Sequence, residues 1–372
     1  MIGIRRVTKL GRICLFILCS VLLNAWGKDK VRIKTENGVL VIVNPVKPGK
    51  MPGVPSQMRI KKELVIGESS GRDEYMFGEA REVAVDDSGR IFVLDYKKTL
   101  IRVFDRNGVY LKTIGRKGQG PGELQTPLHI FTTWQKEIMI EDHAPRQFVF
   151  YSWNGEFLRN VSYARVFIFT TGIDSAGNII GIVQTGEPDG NVQVLNRYSP
   201  EFEYLHTVGY TIKGNRRTYN FFKPWLRWAV YKGNHIIFSF SEKYELLIYD
   251  AAGKLVRKIV KKYKPVKISG EELSYMRKVV RLPSTVRLIV PKHHTAFQRF
   301  TVDDKDRIFV QTWEKTKEGK GFIFDVFNSD GICIARVPLN AVPRIWKKDK
   351  LYTIEEDTEG YQSIVRYKVI WQ

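Results

Sequence analysis

The chain has 372 residues, of which 43% are hydrophobic and 27% are charged. This balance is typical of a folded soluble protein and excludes a disordered chain, and the 17 Tyr, 21 Phe and 8 Trp favour strands over helices. The net charge of +21 favours an anionic partner, and a basic surface that serves only solubility is the alternative interpretation.

The N-terminus has the features of an export signal. Basic residues at positions 5, 6, 9 and 12 precede an apolar run over residues 13–23, and Ala25 and Gly27 are the small residues that a signal peptidase requires. The run is about half of the roughly 20 residues that span a bilayer. We therefore predict a signal peptide over residues 1–27, with an uncleaved anchor and a lipoprotein as the alternatives.

Export bears on the expected partner and location. Cleavage before Lys28 would remove four basic residues and leave a net charge of +17 on a periplasmic or extracellular protein without a membrane span. Nucleic acid is then not expected as a partner, and anionic envelope polymers or lipid head groups are the expected anions.

The first part of the mature chain and the cysteine content say little about function. Residues 28–60 contain four prolines and are predicted to form an extended tether with at most one short hairpin near residues 39–43. Cys333 is the one cysteine beyond the signal, so no internal disulfide can form. Its apolar neighbours predict a buried thiol on a strand.

The segment at residues 83–115 reads as one complete repeat. It contains four apolar β segments, separated by turns that include DSG at residues 87–89 and DRNG at residues 105–108. Four antiparallel strands in about 45 residues match the size of one propeller blade.

Degraded copies of this unit recur along the chain, at residues 130–161, 173–208, 229–260, 300–337 and 345–371. The last copy lacks a fourth strand, and residues 63–67 resemble the fourth strand at residues 111–115. We therefore predict an all-β, six-bladed β-propeller of four-stranded antiparallel blades over residues 61–372, with the ring closed by this N-terminal strand.

Two insertions interrupt the period, near residues 210–223 and 261–296. Within the second, Ser269 followed by Glu271 and Glu272 is typical of a helix start, and Pro283 would end the helix. Long insertions in a repeat fold often collect on the functional face.

The first blade resembles an NHL repeat of bacterial six-bladed propellers. The resemblance depends on DDSGRIFVLDYKKTLIRVFDRNG at residues 86–108 and GRKGQGPGEL at residues 115–124, and it extends in weaker form over residues 61–372. The Asn-Arg of the NHL third strand is replaced by TLIR at residues 99–102. Such propellers include binding scaffolds, RNA binders, and lyases or lactonases with a metal in the central channel, so the resemblance implies the fold more strongly than an activity.

Three motifs are assigned to structure. The glycine-rich run at residues 115–122 leads into a strand and not a helix, so we predict an inter-blade connector and no phosphate loop. The repeat places aspartates before turns that an aspartate can cap, which favours turns over calcium loops; these are Asp86, Asp87, Asp174, Asp303 and Asp304. The histidines show no metal-binding spacing, and we predict no catalytic residue, no metal and no cofactor.

The candidate binding site comes from positions that the repeat makes equivalent. Basic or histidine side chains occur where five of the six inner strands begin, at Arg81, His129, Arg227, Arg299 and Arg344. Around one mouth of the channel they would form a ring able to hold a carboxylate, sulfate or phosphate. Trp228, with Trp225 close by, would add a stacking face. The alternative is that the arginines point outward or pair with Glu79, Glu82 and Glu123.

We therefore predict a non-enzymatic envelope or secreted propeller, a monomer that binds on one face or acts as a scaffold. Its predicted ligand is an anionic glycan, another anionic or carbohydrate-like molecule, an envelope polymer or a partner protein. The alternative is an NHL-type lyase or lactonase with a divalent metal in the channel.

Overall fold

A computed structural model describes residues 30–49, 52–187, 190–210 and 217–372. The predicted signal peptide lies outside the described residues, as does part of the first insertion at residues 211–216. Within the described ranges the chain forms 28 β-strands, one α-helix and a short 3₁₀ helix at Asp73–Tyr75.

The N-terminal region contributes three strands, and the first three blades follow. The N-terminal strands are β1 (Arg32–Glu36), β2 (Val39–Asn44) and β3 (Met58–Ile66). Blade one consists of β4 (Ala80–Val85), β5 (Ile91–Asp95), β6 (Leu100–Phe104) and β7 (Tyr110–Ile114). Blade two consists of β8 (Pro127–Thr132), β9 (Glu137–Asp142), β10 (Gln147–Ser152) and β11 (Phe157–Ser162). Blade three consists of β12 (Ile168–Ile173), β13 (Ile179–Glu187), β14 (Gly190–Tyr198) and β15 (Tyr204–Tyr210).

The remaining blades are separated by the two insertions. After β16 (Thr218–Asn220), blade four consists of β17 (Leu226–Tyr231), β18 (His235–Phe240), β19 (Glu245–Tyr249) and β20 (Leu255–Lys261). Helix α1 (Gly270–Val279) and β21 (Arg287–Ile289) precede blade five, which consists of β22 (Arg299–Val302), β23 (Ile308–Lys315), β24 (Phe322–Phe327) and β25 (Cys333–Leu339). Blade six consists of β26 (Ile345–Lys347), β27 (Lys350–Glu356), β28 (Gln362–Trp371) and β3.

The N-terminal strand β3 closes the ring, which confirms the predicted six-bladed architecture. β3 pairs antiparallel with β28, from Ile66 opposite Ile364 to Met58 opposite Trp371. The strand begins five residues before the predicted start at Glu63, because β28 continues to Trp371 and offers backbone partners along its whole length. The last blade is therefore made from both ends of the described chain.

The core is divided into clusters that lie between successive blades, because strand residues alternate between the two faces of each blade. In β5, Ile91 and Val93 pack toward blade six, whereas Phe92 and Leu94 pack toward blade two. In β23, Ile308 packs toward blade four and Phe309 toward blade six. The second strand of a blade is thus buried on both faces, which explains its nearly continuous apolar sequence.

The hairpin of β1 and β2 extends blade four outward. β2 pairs in parallel with β20, so residues 32–44 become part of a six-stranded sheet. The side chain of Asn44 accepts the backbone N–H of Cys333 at 2.8 Å and donates to the carbonyl of Gly331 at 2.9 Å. The Nζ of Lys261, which is 3% exposed, donates to the carbonyls of Pro45 and Val46 at 3.0 and 2.7 Å. These bonds fix the segment that follows the hairpin against blades four and five.

The two insertions meet on one face of the propeller. β16, from the connection between blades three and four, pairs in parallel with β21, from the connection between blades four and five. α1 begins as predicted: Ser269 accepts the N–H of Glu272, and Glu272 in turn accepts the N–H of Ser269, which forms a capping box.

Closure by β3 predicts a large loss of stability from one residue of that strand. Ile66 is 1% exposed and packs between blades six and one, whereas the neighbouring Val65 is 49% exposed. Ile66→Ala should lower the free energy of unfolding by about 2–5 kcal/mol, because it removes buried methyl groups and leaves a cavity. Val65→Ala, the matched control, should change it by less than about 0.5 kcal/mol. Urea unfolding measures both, and equal effects would contradict closure by this strand.

Candidate functional site

The five predicted ring residues lie where the inner strands begin. The inner strands are β4, β8, β12, β17, β22 and β26; β4 contacts β8 and β26, β12 contacts β8 and β17, and β17 contacts β22. The predicted residues lie in β4, β8, β17 and β22, or directly before β26, and they are Arg81, His129, Arg227, Arg299 and Arg344. Because every inner strand starts at the same face, these positions lie at one mouth of the channel.

Two of the five side chains have acidic partners. The Nε of Arg81 donates to the carbonyl of Leu128 at 3.2 Å, and its Nη1 lies 3.6 Å from a carboxylate oxygen of Glu79. The Nδ1 of His129 lies 2.8 Å from Oε1 of Glu82. Burial is the largest influence and lowers the pKa of His129, but the hydrogen bond and charge of Glu82, together with the charge of Glu141, outweigh it, so the pKa is raised. The positive charges of Arg81 and His129 are therefore balanced by neighbouring glutamates.

The other three side chains form a basic cluster. The Nε of Arg227 donates to the carbonyl of Gln298 at 2.9 Å, which places it across the gap between blades four and five. Burial and then the charge of Arg299 lower the pKa of Arg227, and burial and then the charge of Arg344 lower the pKa of Arg299. Within the described residues none of the three guanidinium groups has a carboxylate partner. We call Arg227, Arg299 and Arg344 the arginine cluster.

The structure separates the two tryptophans that the sequence places near this cluster. Trp228 is half-buried and packs against blade three, where a Cβ at Gly172 would come within 2.6 Å of its ring. Trp225 is 45% exposed and borders a pocket beside the cluster. Trp228 and Arg227 are adjacent in β17, so their side chains leave opposite faces of the strand. The exposed stacking surface is therefore provided by Trp225.

The pocket has a volume of about 540 Å³ and lies between the paired insertions and the inner strands of blades four and five. Arg227 and Arg299 line it from the strands, and Phe221, Trp225 and Tyr275 line it from the insertions. Its size falls within the range of small-molecule sites, roughly 300–1,000 Å³. Part of the basic mouth thus opens into a concave aromatic site.

One side of the pocket is held by a contact between the second insertion and blade five. The ring of His294 stacks on Trp313 with 3.9 Å between the ring centroids, and its Nε2 lies 3.1 Å from Oε2 of Glu272. Burial lowers the pKa of His294 despite the opposing effect of Glu272, so the imidazole is neutral at pH 7. This contact fixes the start of α1 over blade five.

Sequence reasoning missed the aromatic residues of the insertions, including Phe221, Phe222 and Tyr275. A signal was present, since adjacent phenylalanines in a long connection have no core strand to join, and Tyr275 lies on the exposed side of a short amphipathic helix. Their convergence depends on pairing between two insertions about 70 residues apart, which strand periodicity does not reveal.

The described side chains do not fit a channel metal of the kind that the lyase or lactonase resemblance implies. Within the described ranges no group of three His, Cys, Asp or Glu side chains converges on a point where a metal ion could bind. Three of the five aspartates considered for calcium cap turns as predicted: Oδ1 of Asp86 accepts the N–H groups of Ser88 and Arg90 at 2.8 and 2.9 Å. Asp174 and Asp303 bind their own turns in the same way. Asp87 and Asp304 instead contact the end of β26 and the turn that follows it: Oδ1 of Asp87 lies 2.7 Å from Nζ of Lys347, and Oδ2 of Asp304 accepts the N–H of Lys348 at 2.5 Å.

Two further predicted features are confirmed. The glycine-rich run connects β7 to β8, where Gly118 donates to the carbonyl of Leu124 at 3.0 Å and Arg116 pairs with Glu123 at 2.7 Å. Cys333 is buried at the start of β25, and burial raises the pKa of its thiol to about 12.

Comparisons with known proteins support the architecture. Residues 70–175 match the family model described as a 6-bladed beta-propeller, DUF5128. The fold is similar to that of a candidate exported protein from Bacteroides fragilis NCTC 9343, with a TM-score of 0.57 and 13% identity over 89% of this chain and 99% of that one. It is also similar to a member of the duf4221 family from Bacteroides vulgatus ATCC 8482, with a TM-score of 0.53 and 12% identity over 86% and 100% of the two chains.

Other comparisons add little about activity. Virginiamycin B lyase from Staphylococcus aureus gives a TM-score of 0.45 at 9% identity over 84% of this chain and 100% of that one, a likeness too weak to bear on activity. The search of curated proteins gives no match. No helix in the described part of the chain is long and apolar enough to cross a membrane.

The Glu82–His129 pair predicts a measurable reversal of a pKa shift. In the native protein the pKa of His129 lies above 6.5, so its protonated form stabilises the fold fully below pH 6.5, and this contribution is lost as the pH rises through the raised pKa. Glu82→Gln should bring the pKa below 6.5, because burial is the larger influence and only the charge of Glu141 then opposes it. Glu79→Gln is the control and should leave it raised. An NMR titration of the imidazole measures the pKa, and an unchanged value in Glu82→Gln would contradict the pairing.

Proposed function

We propose that this protein is an exported, non-enzymatic binding propeller whose channel mouth holds an anionic ligand. The observation that carries the proposal is the arginine cluster of Arg227, Arg299 and Arg344 on three consecutive blades, without a carboxylate partner among the described residues. Placing like charges close together costs free energy, and a bound anion would relieve that cost. The fold similarity to a candidate exported protein and the signal-like N-terminus support the location.

A ligand within the pocket fits the site better than a flat protein interface. Arg227 and Arg299 of the arginine cluster line a concavity of about 540 Å³ together with aromatic side chains, which is the form of a small-molecule or oligomer site. The lyase or lactonase alternative lacks a supporting constellation in the described residues, because no set of metal-binding side chains converges there. Binding without chemistry is therefore the function that the geometry favours.

The proposal predicts selective loss of anion binding from two substitutions. At physiological salt the protein should bind a carboxymethyl-dextran surface and not the uncharged dextran surface. The double variant Arg227→Ala/Arg299→Ala should bind the carboxylated surface at least about a hundredfold more weakly, because each of the two charged hydrogen bonds contributes about 1.5–3 kcal/mol. Surface plasmon resonance measures both surfaces under the same conditions.

A second double variant controls for net charge. Arg59→Ala/Arg106→Ala removes the same two charges from exposed positions in β3 and in the turn between β6 and β7, away from the mouth. It should retain nearly full affinity. Equal losses in the two double variants would show that the chain binds anions through its overall charge, and the proposed site would then be wrong.

A further inference from the structure

Aromatic side chains from separate segments line the pocket beside the arginine cluster. Tyr275 of α1 is 60% exposed, and its ring centroid lies 6.4 Å from that of Phe221 in the first insertion. Trp225, at the entry to blade four, is 45% exposed. Exposed aromatic rings in a concavity provide flat apolar surfaces that lose little conformational entropy when they pack against a ligand.

The ring of Trp225 lies beside the cations of the site. The Nζ of Lys223 is 4.5 Å from the centroid of the Trp225 ring, and the guanidinium carbon of Arg227 is 6.0 Å from it. A flat ligand that packs on Trp225 therefore lies next to positive charge. A ligand with an apolar face and an acidic group at its edge satisfies both features.

The pocket also contains acidic side chains, which restrict the charge of its ligand. Lys223, Arg227 and Arg299 contribute three positive charges, and Glu271 and Glu272 contribute two negative ones. Glu272 is engaged by the N–H of Ser269 and by the imidazole of His294, whereas Glu271 forms no hydrogen bond or ion pair with the described residues. A ligand with several negative charges on each unit, such as a polyphosphate, would be repelled by these carboxylates. A free carboxylate at the rim favours a ligand with hydroxyl donors.

Resting on the proposed anion-binding function, we infer that the pocket binds a sugar ring that bears a single carboxylate, as part of an acidic oligosaccharide. The carboxylate binds Arg227 and Arg299, one face of the ring packs on Trp225, and ring hydroxyls donate to Glu271. A phosphate-rich ligand fits less well because of the two glutamates. An aromatic acid fits less well because it has no hydroxyl groups for Glu271.

Calorimetry with matched probes tests the inference. The acidic probes are galacturonate trisaccharide, a hyaluronan tetrasaccharide and sialyllactose. The methyl ester of the trisaccharide is the uncharged control, and citrate is the control anion without a sugar ring. At least one acidic oligosaccharide should bind, and the methyl ester should bind at least about tenfold more weakly than the trisaccharide or not at all. Citrate should bind more weakly than the best acidic oligosaccharide.

Substitutions then separate recognition of the ring from recognition of the charge. Trp225→Ala should weaken the best acidic oligosaccharide about tenfold or more and leave citrate unchanged. Trp134→Ala is the matched control, since Trp134 is 62% exposed and follows β8 at the opposite face. Glu271→Gln should weaken the oligosaccharide and not citrate.

The outcomes distinguish this inference from the function on which it depends. If citrate binds as tightly as the oligosaccharides and Trp225→Ala changes nothing, the mouth is a simple anion site, and the sugar assignment is wrong while the proposed function stands. If no probe binds, or if the Arg227→Ala/Arg299→Ala variant keeps the affinity of the native protein for every probe, both are wrong.

Discussion

The structure depends on burying both faces of every blade against a neighbouring blade. A four-stranded sheet with two apolar faces is stable only if each face is covered, and a ring provides this cover for all blades at once. The apolar faces between blades six and one are fully buried only when the sixth blade has its fourth strand. β3 supplies that strand, and Ile66 then packs into the cluster between blades six and one. Closure also removes the free edge that β28 would otherwise expose.

Closure has a direct consequence for function. A closed ring brings the starts of all the inner strands to one mouth, so side chains far apart in sequence become neighbours. The arginine cluster spans 118 positions of the sequence. Even so, the charge of Arg299 lowers the pKa of Arg227, and the charge of Arg344 lowers the pKa of Arg299. One insertion precedes blade four and the other follows it, and both lie on the same face. Their pairing through β16 and β21 places further side chains beside the mouth. The site therefore depends on the fold more than on any local motif.

Much of the architecture could be predicted from the sequence, because each blade repeats local signals. Alternating apolar residues, Asp-capped turns and hairpin glycines mark the strands, and the capping box at Ser269 marks α1. The positions of the five ring residues also followed from the repeat. Pairing with Glu79 and Glu82 was open as the alternative, and it holds for Arg81 and His129. The sequence could not show which of the five residues are paired and which remain without a carboxylate partner, because that depends on contacts between blades.

The stacking residue shows how a single strand position determines a role. Trp228 and Trp225 both lie near Arg227 in sequence, but β17 directs Trp228 toward blade three and leaves Trp225 exposed at the pocket. The central claim is that this pocket and the arginine cluster together bind an acidic ligand. A crystal structure of the protein with the best-binding acidic oligosaccharide tests it most directly. We expect a carboxylate within hydrogen-bond distance of Arg227 and Arg299 and a sugar ring against Trp225, whereas a ligand bound on another face or without contact to these arginines would contradict the claim.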